Sequence, residues 1–170
     1  MASSIRVAVP DDADAFLALV DALADYEALP RPTSDAKGRL VRDAFGSNPR
    51  FTLFVGEVDG TVRGYAVVFE TYSTFLAMPS LYLEDFFVHP DHRRSGLGSL
   101  LFDHVEREAL ARGCGRLEWV CLEENAIGIN FYAKREARHL SEWRAYRLTA
   151  DDLRPRHADR PSSPPESIGQ

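Results

Sequence analysis

The stretch that decides the fold is Leu81-Tyr-Leu-Glu-Asp-Phe-Phe-Val-His-Pro-Asp-His-Arg-Arg-Ser-Gly-Leu-Gly-Ser-Leu-Leu-Phe102. Leu81 to Val88 is apolar and aromatic on both sides, as in a strand covered on both faces, and Glu84 and Asp85 interrupt it where a carboxylate is costly without a role or a partner. Pro90 cannot continue a ladder and holds His89 extended, so the strand stops there. Leu97, Leu101, Val105 and Ala109 then recur every four residues and predict a helix opening directly behind Arg93-Arg94-Ser95-Gly96-Leu97-Gly98. A glycine-containing loop feeding a helix N-terminus presents backbone N–H groups to an anion, and two arginines add charge. The ligand this calls for carries phosphate.

Spacing narrows the choice. No lysine follows the glycines as a P-loop requires, and two glycines fall short of the three in a dinucleotide fingerprint. What stands here is Arg93-x-x-Gly96-x-Gly98. It resembles the pyrophosphate signature of the GNAT superfamily of acyl-CoA-dependent N-acetyltransferases. Tyr82-Leu-Glu-Asp-Phe-Phe-Val88 in front of it resembles the strand of the spermidine/spermine and thialysine branch.

Outside this stretch, Ile5 to Val9 alternates as a first strand, and Asp11 or Asp12 caps a helix with Phe16, Leu19, Val20 and Leu23 on its apolar face. Thr33 or Ser34 caps a second helix that ends at Gly46. Asp59-Gly60 joins strands 51–58 and 61–71 in a hairpin, and residues 72–80 read as a loop into the central strand. Strands at 116–122 and 144–148 flank a helix opening at Asn125. The resulting class is α/β (α+β): a GNAT-type mixed, mostly antiparallel central sheet flanked by helices, in a single domain. Residues 1–154 form that domain, and the Pro- and Ser-rich residues 155–170 read as a flexible tail.

A chain of 170 residues, 45% hydrophobic and 27% charged, fits one globular domain. Its net charge of −6 argues against a nucleic-acid partner and agrees with a cationic substrate. Cys114 and Cys121 do not make a metal site, and no metal is expected. With no basic, apolar leader and no membrane-length apolar run, the expectation is a cytoplasmic protein that does not engage a membrane.

The resemblance implies the chemistry. Acetyl-CoA would be the cosubstrate, its pantetheine and thioester held by the main chain of Phe86, Phe87 and Val88 and by Asn125. Its pyrophosphate would be held by Arg93, Arg94, Ser95, Gly96, Leu97, Gly98 and Ser99. Glu84 would accept the proton of the amine, against a reading as a surface ion-pair residue. Asp85 points to the opposite face in a regular strand, although a bulge would change that. Tyr132, seven residues after Asn125, would protonate the departing thiolate, against a reading as core. Tyr26, Glu27, Asp85, Trp119 and Glu142 match positions near the amine in this branch, and Trp143 fits either the site or the core. Ser73 stands where polyamine enzymes carry an acid, which favours a shorter amine. Glu136 occupies the place of a helix-ending glycine. The activity expected is transfer of the acetyl group from acetyl-CoA to a primary amine of a diamine, polyamine or lysine-like amino acid, by a homodimer. The alternatives are a protein or peptide N-acetyltransferase and a non-catalytic acyl-CoA sensor.

Overall fold

A computed structural model describes residues 2–157. The chain divides into two units, one ending at Cys121 and the other beginning at Leu122. The first holds a five-stranded sheet in the order β1-β2-β3-β4-β5. Its strands are β1 (Ser3–Val7), β2 (Thr52–Val58), β3 (Thr61–Ser73), β4 (Met78–Val88) and β5 (Leu117–Glu118). The first four pair antiparallel and β5 lies parallel to β4. Parallel neighbours need a crossover, which α3 (Leu97–Ala111) supplies.

The hairpin between β2 and β3 turns on Asp59 and Gly60, both at positive φ (48° and 76°), the pairing that a tight primed turn demands. The second hairpin differs from the expected loop: β3 and β4 run on to Ser73 and Met78, and the turn is confined to residues 74–77. Ser73 is buried, and its Oγ accepts the Leu76 N–H at 3.2 Å, which closes the turn and keeps both strands paired.

The helix α1 (Ala13–Tyr26) is preceded by a 3-10 turn, Pro10–Asp12. Asp12 accepts the Val9 N–H at 2.7 Å and pairs with Arg6, which also reaches Glu57, so the start of α1 is tied to β1 and β2. The helix α2 (Ser34–Phe45) is capped by Thr33, whose hydroxyl accepts the Ala36 N–H. On the α1 face of the sheet Phe16, Leu19, Leu53, Tyr65, Val67 and Phe87 form one buried cluster. On the other face the predicted stripe Leu97, Leu101, Val105 and Ala109 of α3 is buried throughout, and Phe54 meets His104 while Phe86 meets Phe102 edge-on.

Two elements are shorter than their alternation suggested. The strand expected over 116–122 is the two-residue β5, and residues 144–148 carry no strand. Tyr146 and Leu148 are exposed there; alternation marks a strand only where a ladder partner takes up the backbone hydrogen bonds. In the second unit, α4 (Ala126–Ala133) and α5 (Ala150–His157) are helical. The expected domain end at 154 falls inside α5, and the expected tail lies, from residue 158 on, outside the described residues. Among the described residues no helix is long and apolar enough to cross a membrane.

Candidate active site

The register of β3 against β4 shifts once, between Val67 and Val68: Val67 pairs with Asp85, Val68 with Leu83, and Glu84 is the extra residue. This is a bulge, and it re-aims the side chains around it. Glu84 is exposed, whereas Asp85 turns to the α1 face, where Tyr65 OH donates to its Oδ2 at 3.3 Å. Tyr65 is fully buried, edge-on to Phe16 at 5.2 Å between ring centroids. Burial first, and then the neighbouring Glu84 charge, push the Asp85 carboxyl up to about 6; the Tyr65 hydrogen bond pulls it back and Glu27 adds to the rise. The Tyr65 phenol is held far above the usual tyrosine range, by burial first and then by Asp85. It stays a donor at every working pH. Glu27 ends α1 beside Tyr26, whose ring lies 6.3 Å from that of Phe87. Three carboxylates, Glu27, Glu84 and Asp85, therefore act on one region, an arrangement suited to a cationic amine and to taking up its proton.

The strands β4 and β5 share two rungs, Leu81 with Leu117 and Tyr82 with Glu118, and the ladder goes no further. Beyond those rungs β4 carries Phe86, Phe87 and Val88 into the loop that precedes α3. The side chain of Phe87 lies in the α1-face cluster and that of Val88 packs with Leu97. Trp119 meets Phe102 of α3 edge-on at 5.4 Å.

The loop has the features that suit an anion. Gly96 is the N-cap of α3 at φ +90° and brings no side chain to the helix end, while the neighbouring Ser95 Oγ accepts the Leu97 N–H at 3.4 Å. The space where a Cβ would stand at Gly96 is open within 4 Å. No acidic residue lies in the first turn of α3, and Arg94, exposed at φ +61°, stands just before it. Ser95 Oγ donates to His92 O at 2.7 Å and holds the loop closed. A pyrophosphate fits these donors. Arg93 is placed differently: its guanidinium carbon lies 4.3 Å from the centroid of the Tyr26 ring, and its Nε donates to Val88 O at 3.1 Å.

In the second unit Asn125 is the N-cap of α4, its Oδ1 accepting the Gly128 N–H at 3.0 Å. Tyr132 lies seven residues on, hence on the same helix face, half-buried and edge-on to Phe131 at 5.6 Å. The helix ends as a glycine would end it: Glu136 takes φ +58°, and Ala137 N–H returns to Tyr132 O at 3.1 Å. Glu142 pairs with Arg138, and Trp143 is exposed rather than core.

Tyr65 is the site residue that sequence reasoning missed. Its signal was present, a tyrosine inside an apolar strand, but its partner depends on a bulge that alternation does not reveal.

Comparison with known proteins agrees with this architecture. The family model described as acetyltransferase (GNAT) family matches residues 17–136. A thialysine N-epsilon-acetyltransferase of Sus scrofa is 30% identical over 161 residues, covering 88% of this chain and 94% of that protein. An L-ornithine N5-acetyltransferase of Arabidopsis thaliana is 41% identical over 95 residues, covering 56% of this chain but 42% of that protein. Among solved structures, an integron cassette protein from the mobile metagenome of V. cholerae superposes with a TM-score of 0.80 at 20% identity, covering 94% of this chain and 99% of that one. The chain belongs to the acetyltransferase (GNAT) family.

Proposed function

We propose that the protein transfers the acetyl group of acetyl-CoA to a primary amine of a small cationic substrate, with an amino-acid side-chain amine or short diamine favoured over a long polyamine. The observation that carries this is the bulge at Glu84, which sets an exposed and a half-buried carboxylate side by side. When bound, acetyl-CoA supplies the activated acyl group. Its phosphates are assigned to Arg94 and the backbone of residues 95–99, and its pantetheine to the main chain of Phe86, Phe87 and Val88 and to Asn125.

The chain's own groups do the rest. An ammonium is not a nucleophile, so a proton must leave before attack. The Glu84–Asp85 pair takes it: Glu84, solvent-facing, meets the amine, and burial pushes the neighbouring Asp85 carboxyl up to about 6. The remaining charge on a dication is met by Glu27. Tyr132 is the proposed acid for the departing thiolate. With one carboxylate pair taking the proton, a cluster of three leaves counter-charge for one distal cation. Ser73 adds none, since its hydroxyl is neutral and accepts the Leu76 N–H of the turn. The names of two relatives support the size: ornithine N5 and thialysine N-epsilon are both side-chain amines. A cytoplasmic homodimer belongs to the proposal through the branch resemblance, and size-exclusion chromatography with light scattering tests the dimer.

The direct test is release of coenzyme A thiol from acetyl-CoA with an amine panel of ornithine, lysine, thialysine, putrescine and spermidine. Turnover above the amine-free background is expected with at least the amino-acid amines. Failure with all of them removes the reading.

A further inference from the structure

The first arginine of the loop does not behave as the second does. We propose that Arg93 is a positioning residue that ties the phosphate loop to the amine-side wall, and is not itself a ligand of the cofactor's phosphates.

Four contacts fix it. Its backbone N–H donates to Pro90 O at 3.2 Å, inside the 3-10 turn Pro90–His92. Its Nε donates to the Val88 carbonyl at 3.1 Å, at the end of β4. Its guanidinium carbon stacks over Tyr26 at 4.3 Å and lies 5.5 Å from the Phe87 centroid. Tyr26 is the last residue of α1 and precedes Glu27, one of the three carboxylates. A planar guanidinium lying over one ring and near a second, with Nε committed to a carbonyl, is ordered through its shape. Lysine, a point charge, reproduces neither the stack nor the Nε donor. Arg94 is the opposite case, exposed on a left-handed backbone at the mouth of α3. The motif's two adjacent arginines thus divide the work: one gives charge to the anion, and the other holds Tyr26 and Glu27 against β4.

This rests on the amine site proposed above, and the two fail separately. Arg93→Ala, Arg93→Lys, Arg94→Ala and Tyr26→Ala are titrated with coenzyme A by calorimetry at low and high salt, and then with ornithine in the presence of coenzyme A. For both Arg93 variants we expect coenzyme A affinity within about twofold of wild type with its salt dependence intact. Arg94→Ala weakens binding and flattens that dependence. Ornithine affinity falls on the order of tenfold in both Arg93 variants and in Tyr26→Ala, and the Arg93→Ala/Tyr26→Ala double variant is no worse than either single one. The proposal is overturned if Arg93→Ala loses coenzyme A affinity and salt dependence as Arg94→Ala does, with recovery in Arg93→Lys. It is equally overturned if ornithine binding is untouched. A wild type that binds coenzyme A but no amine refutes the functional reading instead, and the coenzyme A titrations still decide whether Arg93 is a phosphate ligand.

Discussion

Tyr65 and Asp85 meet across the β3–β4 ladder, phenol to carboxylate at 3.3 Å, although they are not register partners. Tyr65 pairs with Phe87 and Asp85 with Val67; the two side chains are neighbours diagonally, on the face that α1 covers. The tyrosine is held by the core, and its hydrogen bond tempers the rise that burial and the Glu84 charge impose on the Asp85 carboxyl.

The acid limb of the pH–rate profile follows from this. With Asp85 pushed up to about 6, kcat/KM for a short amine should rise with pH through about 6 and then level. Tyr65→Phe removes the one interaction that lowers this value, so the limb should move to higher pH. A limb that stays in place in Tyr65→Phe would separate Asp85 from the titration.

Stability carries the same signature with a definite sign. A carboxyl raised from 3.8 to about 6 on folding binds more protons folded than unfolded between those values. Stability is therefore highest below the unfolded value, falls as pH rises through this window, and stays reduced above it. Asp85→Asn should match wild type near pH 4 and exceed it at pH 7 by on the order of 1–3 kcal/mol, read from urea unfolding at both pH values. Equal stability at pH 7 would mean that the carboxylate is adequately solvated.

Gly96 tests the phosphate loop without adding charge. Its φ of +90° is one that L side chains rarely adopt, though the space around it is open. Gly96→Ala should thus act through the backbone, at a cost of about 1–2 kcal/mol, by turning the first N–H groups of α3. Coenzyme A binding should weaken on the order of tenfold by calorimetry, with the far-UV spectrum unchanged. Wild-type affinity in this variant would place the phosphates elsewhere.

Tyr132 is tested by removing one oxygen. Tyr132→Phe keeps the ring that packs on Phe131 and deletes the proton donor. Turnover should fall on the order of 10²-fold while coenzyme A affinity stays within about twofold. Full turnover would leave Tyr132 as packing.

Much of this was legible in the chain, and the failures have a common cause. The stripe of α3, the Asp59-Gly60 turn and the Asn125 cap are written in local periodicity and local backbone chemistry, and each formed where expected. The bulge at Glu84 is a property of two strands at once, so the strand's own alternation could not place Asp85 beside Tyr65. The expected strand at 144–148 shows the reverse error, a local pattern without a ladder. The loop motif marks both arginines for phosphate, and spacing identifies residues and not directions: the Arg93 guanidinium lies over the Tyr26 ring. Glu136, flagged as a misfit for a left-handed position, does adopt it.

The most direct test of the account is a one-pot competition. Wild-type protein is given limiting acetyl-CoA and equimolar ornithine, spermine and a lysine-containing peptide, and the acetylated products are resolved by mass spectrometry. With carboxylates gathered at Glu27, Glu84 and Asp85 and none supplied at Ser73, spermine's far charges forfeit affinity. The account predicts acetyl-ornithine in at least tenfold excess over acetyl-spermine and over acetylated peptide. Acetyl-spermine as the main product, acetylation confined to the peptide, or no amine product at all would contradict it.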